Sequence, residues 1–429
     1  MSHHYPKTYP RADEIRVFVN DSEVDVLRTN VAYFAPASYT GRAILRIESK
    51  QLLGRIAISP LNLGLSANVH GGTAEFEVPG NLKLHLAIEG ISLPLFFYGN
   101  QEGVYDGSAT YYFAGGKTYE VGELTLHNGE SVYIESGAVV RGSIRSFGTK
   151  GIRIYGQGLL DGSYHRHASE HRTILLYDCT EVQIRDIMMV EPPSWMIMLA
   201  NCRDVHIDSI KQIGEVVSSD GIDIVGCHDV LIEQCILRNN DDCVAIKSFN
   251  WTKERNGMDL EAAKDVYNVL VRDCTFVNGR SGNAIEIGHE LTTDEVRDVT
   301  FQNIDIVSVH GYGAALSIHV GDRAVVRDIR FEAIRIEHYY DKLIDFRVMR
   351  SMYNTDEERG RIVDITLKDI EVLVSMYNPG YSISVIGGYD QDHLVENVTF
   401  DNFRLGQQKV TSANELDLFT KETRNIRFL

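Results

Sequence analysis

The 429-residue sequence has no apolar run long enough to cross a bilayer, and Met1 to Pro6 lack the basic and apolar regions of a secretory leader. A cytoplasmic protein is expected, or a secreted or periplasmic one if a leader has been removed. Positive charge is scarce: 42 Lys and Arg against 60 Asp and Glu give a balance of −18. That balance excludes non-specific binding to nucleic acid or to an anionic membrane. Cysteine is sparse, and Cys179, Cys202, Cys227, Cys235, Cys243 and Cys274 contain no CxxC pair. They read as a column of small buried residues in a repeat, not as a disulfide framework or zinc site. A helical period of 3.6 is missing as well.

What is present is strand. Up to about residue 105 the short alternating runs Ile15 to Val19, Val24 to Val26, Ile44 to Ile47 and Leu82 to Leu86 lie between Gly, Asn and Pro signals. That pattern predicts a small β-sandwich-like domain over residues 1–105. Residues 106–429 carry a degenerate repeat, apolar-x-apolar-x-x-apolar, usually introduced by Asp or Asn. It runs through Val182, Val205, Val230, Val269, Val299, Ile329, Ile365 and Val398, with compact spacings of 23 (182 to 205) and 25 (205 to 230). Short strands, Asn/Asp/Gly turns and a period in the twenties predict an all-β chain built on a parallel β-helix. A propeller needs four strands in about 40 residues, for which the compact coils leave no room.

Stacking turns this spacing into geometry. Asp220 precedes Asp241 and Asp242 by 21 and 22 residues, one coil, so these carboxylates fall on adjacent rungs about 4.8 Å apart. Registering the inward residues Ile222, Val244, Ile285 and Leu316 places Asp220, Asp242, Asn283 and Ala314 at the turn before each strand. Asp223, Ala245, Glu286 and Ser317 then form one outward column, and Val225, Lys247, Gly288 and His319 the next. An open groove lined with Asp, Lys, Glu and His is expected.

Ser219-Asp220-Gly221 followed by Asn240-Asp241-Asp242-Cys243-Val244 resembles the Asn-Thr-Asp and Asp-Asp-Cys motifs of glycoside hydrolase family 28, the polygalacturonase family. Gly156-Gln157-Gly158 to Asp161-Gly162, Arg172 and Pro192-Pro193-Ser194-Trp195 are similar to that family's approach to its site. The resemblance covers roughly residues 120–405 and implies a right-handed parallel β-helix. The dextranase and isopullulanase family, with its N-terminal β-sandwich, shares the three aspartates. Two positions depart from the polygalacturonase pattern. Asn283 stands at the family's His, with His289 six residues on, and Ser317-Ile318-His319 stands where the family has Arg-Ile-Lys to hold a substrate carboxylate. Arg347 or Arg350, in the loop after Tyr340, is a candidate replacement for that Arg.

The resemblance implies inverting hydrolysis of a glycosidic bond, with Asp241 as general acid and Asp220 and Asp242 activating water across roughly 6.5–9.5 Å. Asn283, Glu286, Lys247, His289, His319, Trp195, Asp223 and Arg347 are the candidate substrate-binding residues, and no metal or cofactor is expected. The substrate is a carbohydrate, either pectin-related or neutral, and a homo-oligomer is compatible with the sequence. The segments 249–265 and 338–361 interrupt the repeat after groove strands, which favours exo cleavage. Two rival readings share the architecture: a polysaccharide lyase using the three aspartates for Ca²⁺, and a non-catalytic glycan-binding β-helix.

Overall fold

The computed structural model describes residues 4–101, 103, 105–167, 171–253, 258–373 and 383–429. Two five-stranded sheets come first, running from Ile15–Val19 to Leu95–Asn100, and enclose a core that includes Val17, Leu45, Leu84, Leu95 and Phe97. From Tyr111–Phe113 to Thr423–Phe428 the chain winds as a right-handed parallel β-helix whose strands pair in parallel with their counterparts one coil on, apart from the short antiparallel pair Arg404–Leu405 and Gln408–Lys409. The interior is a continuous stack of aliphatic and aromatic side chains from Leu126 to Phe403.

The repeat's introducing Asp or Asn has a backbone reason. Asp229, Asn268, Asp298, Asp328, Asp364 and Asn397 hold φ between 53° and 60°, a left-handed turn that short polar side chains tolerate best. Their side chains bond along the stack, as where Asn397 Nδ2 donates to Asp364 Oδ1 at 2.8 Å. The cysteine column is equally regular: all six are buried and free, and the Cys202 N–H donates to Cys227 Sγ at 3.2 Å.

The N-terminal sheets lie on one flank of the helix, where Phe34, Phe96 and Tyr98 pack against Leu159, Met188, Ile213, Ile236 and Val277. The next sheet along each coil stacks Ile222–Val225, Val244–Ser248, Ile285–Leu291, Ala314–Val320 and Lys342–Val348. Its register pairs Ile222 with Val244, Val244 with Ile285, Ile285 with Leu316 and Leu316 with Ile344, so the expected inward column holds. Asp220, Asp241, Asp242 and Asn283 occupy the corner between the two sheets. Among the described residues no helix is long and apolar enough to cross a membrane.

Candidate active site

The corner brings the three aspartates together. One oxygen from each of Asp220, Asp241 and Asp242 lies within 4.8 Å of the other two, because adjacent coils are only one strand spacing apart. This is tighter than the separation expected from the resemblance. It still accommodates a water: each O–H···O bond is about 2.7 Å long, so two such oxygens can accept both hydrogens of one molecule.

Their environments differ. Asp220 Oδ2 accepts from Lys247 Nζ at 2.9 Å, and its Oδ1 is buried without a hydrogen-bond partner. Lys247 Nζ also reaches Asp223 Oδ1 at 2.8 Å. Burial alone would lower the Lys247 pKa, but the charges of Asp220 and Asp223 outweigh it and hold the ammonium well above its ordinary range. Asp242 Oδ1 accepts from the Asn283 N–H at 2.7 Å and from Asn283 Nδ2 at 2.9 Å, bonds that favour its ionised form. Asp241 has weaker donors, the N–H groups of Asp242 at 3.1 Å and Ser218 at 3.2 Å. Burial, and next the charge of Asp220, push the Asp241 pKa up to about 7. Burial, then the charges of Asp241, Glu286 and Asp220, raise the Asp242 pKa well above its ordinary value too, so the trio holds its protons jointly, and Asp241 is singled out as donor by its weaker hydrogen bonds and by the resemblance.

A second network backs the first. Asn283 Nδ2 also donates to Glu286 Oε2 at 2.9 Å, and Glu286 accepts from Ser317 Oγ and, at 2.9 and 3.0 Å, from His319 Nδ1. His319 Nε2 lies 3.3 Å from Asp345 Oδ2, and Arg347 grips the same carboxylate at 2.5 and 2.8 Å. Burial opposes a charged His319, but Glu286 and Asp345 outweigh it and raise its pKa to about 10. His289 stacks on the His319 ring at 4.6 Å, and burial foremost lowers its pKa to about 4. The pair is thus one cationic and one neutral imidazole.

The sequence model of the family described as glycosyl hydrolases family 28 matches residues 117–320, which include the whole aspartate corner. Over those residues the β-helix is similar to family 28. A probable polygalacturonase of Arabidopsis thaliana is 25% identical over 52% of this chain and 54% of its own length. An exopolygalacturonase of Cochliobolus carbonum is 25% identical over 58% of this chain and 60% of its own. The chain thus spans about half the length of such curated relatives. In three dimensions Dex49A from Penicillium minioluteum superposes with a TM-score of 0.72 at 12% identity, covering 98% of this chain and 96% of its own. The family 28 exopolygalacturonase of Yersinia enterocolitica gives 0.55 at 12%, covering 91% and 97%. Both share the fold.

Around the aspartates the chain forms a cleft of about 670 Å³. Asp220, Asp241, Asp242, Asn283, Lys247, His289, His319, Trp195 and Arg347 line it. Asp223 and Glu286 do not: both are fully buried beneath the wall, one holding Lys247 and the other Asn283 and His319. Alternation correctly put them on the outer face of the sheet, but that face is covered. Phe249, Trp251, Leu260 and Ala262 pack over Val225 and Ala200. Arg347 lies in the strand Lys342–Val348, opposite His319, not in a loop, and its guanidinium is already bound to Asp345. Arg350 is exposed and outside the cleft lining. Trp195 has Lys247 Nζ 3.9 Å over its ring, so that face is unavailable to a sugar.

Sequence reasoning missed Asp345, Trp251, Glu290 and Tyr353. Asp345 pairs with Ser317 in register, so extending the Asp223, Ala245, Glu286, Ser317 column by one coil finds it. Both interrupting segments reach the cleft, through Phe249 and Trp251 in one and Lys342, Asp345, Arg347 and Tyr353 in the other. Residues 254–257 of the first lie outside the described residues. Asp322 pins the second by accepting from the N–H groups of Thr355 at 2.7 Å and Asp356 at 2.8 Å. Two groups here have metal-like spacing, the aspartate trio and Glu286 with His289 and His319.

Proposed function

We propose that the protein is a glycoside hydrolase that releases sugars from the end of a pectin-related oligosaccharide with inversion. The observation that carries this reading is the aspartate corner. It gathers one carboxyl whose pKa is pushed up to about 7, one paired with an ammonium and one that accepts from two amide donors. Asp241 donates its proton to the glycosidic oxygen as the C–O bond breaks. A water between Asp220 and Asp242 attacks the anomeric carbon and loses its proton to one of them. The Oδ1 of Asp220 is buried with no partner of its own, so its accepting capacity is unused. The inverting assignment rests on room for this water and on the family resemblance.

The exo assignment is supported by the two segments that wall the cleft, including Trp251 and Tyr353, and by exopolygalacturonases among the relatives. The charge balance of −18 favours a carbohydrate over a nucleic acid or membrane partner. Following pectic oligosaccharides by proton NMR and chromatography tests all three parts. Expected are chain-end products from the first time points, with the anomer opposite to the cleaved bond. An unsaturated, ultraviolet-absorbing product would make the protein a lyase, a retained anomer would remove inversion, and early internal cuts would remove exo action.

A further inference from the structure

The cations of the cleft are nearly all spoken for. Lys247 pairs with Asp220 and Asp223, Lys342 with Asp341, Arg347 with Asp345 and His319 with Glu286. Among the described residues only Arg172 and Arg280 line the cleft as full cations without a carboxylate partner. Arg280 is exposed, so water satisfies it at little cost. Arg172 is different.

Its guanidinium carbon lies 5.2 Å from the Trp195 ring centre and 5.1 Å from that of Trp251, and the two indoles meet edge to face at 5.2 Å. Cation–π attraction holds the group in place but offers its N–H donors no acceptor. Nε is buried without a hydrogen-bond partner, and Nη1 makes one long bond of 3.4 Å to the His171 carbonyl. Burial lowers the Arg172 pKa, and the charges of Asp223 and Asp220 only partly offset it. A planar fork with unused donors, braced by two rings and within electrostatic reach of Asp220, is preorganised for an anion it does not yet hold.

We propose that Arg172 is the residue that receives the substrate's carboxylate. It takes over recognition from the strand position where Ser317 and His319 stand, and it acts from the other side of the aspartates along the stack, two coils before Asp220. Trp195 and Trp251 are then braces for this guanidinium and not a sugar platform. This specificity role rests on the hydrolase reading only for the choice of a pectic ligand.

The test is calorimetric binding to the full chain carrying Asp241→Asn, which prevents turnover, using digalacturonate and its carboxyl-reduced counterpart. The uronate should bind at least roughly tenfold more tightly, and adding Arg172→Lys should weaken it by roughly tenfold while moving the neutral ligand less than threefold. Arg172→Lys keeps the charge and the stem between the indoles, and the ligand comparison needs no change at Arg172, so misfolding cannot imitate the result. Equal affinities, no binding of either ligand, or equal weakening of both by Arg172→Lys would overturn the proposal. A uronate preference without turnover by the native chain removes the hydrolase reading alone. Turnover with equal affinities removes this one alone.

Discussion

Asn283 gives both its backbone N–H and its side-chain amide to one oxygen of Asp242, at 2.7 and 2.9 Å. Asn283 is in turn fixed by Glu286, and Glu286 by the His319 imidazolium. A base activating water must stay ionised beside two other carboxylates, and these donors favour that state.

Asn283→Ala removes one of the two donors. The acid limb of kcat/KM against pH should move upward by about one unit, since a hydrogen bond to a charged group is worth about 1.5 kcal/mol or more. A pH–rate profile checks this. An unmoved limb with a lower plateau would assign Asn283 to substrate contact instead.

Lys247 is the only cation within hydrogen-bonding distance of the buried Asp220 and Asp223 among the described residues. Lys247→Met leaves both carboxylates unpaired, and breaking a buried pair in this way costs about 3–5 kcal/mol. Urea unfolding should report a loss of that size. Loss of activity with unchanged stability would instead make Lys247 a substrate contact.

His319 gives the fold a pH dependence of its own. Its pKa rises from 6.5 to about 10 in the folded chain, so its contribution is fully present below pH 6.5 and lost as pH climbs towards 10. Thermal melting should show Tm falling over that window, and His319→Gln should flatten the fall. An equally steep fall in the variant would place the alkaline sensitivity elsewhere.

Much of this site was legible before any coordinates, because β-helix stacking makes register a counting problem. Asp220, Asp241, Asp242 and Asn283 fell into one corner once Ile222, Val244, Ile285 and Leu316 were aligned. Alternation, however, reports which face a side chain takes and not what covers that face. Asp223 and Glu286 were therefore placed in a groove when they lie under its wall. The bracing of Arg172 was hidden for a related reason, since Trp251 reaches it from a segment that breaks the repeat. Arg347 was misplaced because the run after Tyr340 was read as insertion, although Leu343, Ile344, Phe346 and Val348 continue the buried pattern of the coil.

The central claim is that Asp241 supplies the proton. Its pKa rises from 3.8 to about 7, so wild-type kcat should hold below pH 7 and fall above it. The raised value also means that protonation favours the folded chain, so stability declines as pH rises from about 4 to 7 and Asp241→Asn should not lower Tm. Measuring kcat for Asp241→Asn on a pectic oligosaccharide across pH 4 to 9 tests the claim directly. The prediction is a loss of about 10²–10⁴-fold with the limb near pH 7 abolished. A variant that keeps kcat within tenfold of wild type and still shows that limb would contradict it.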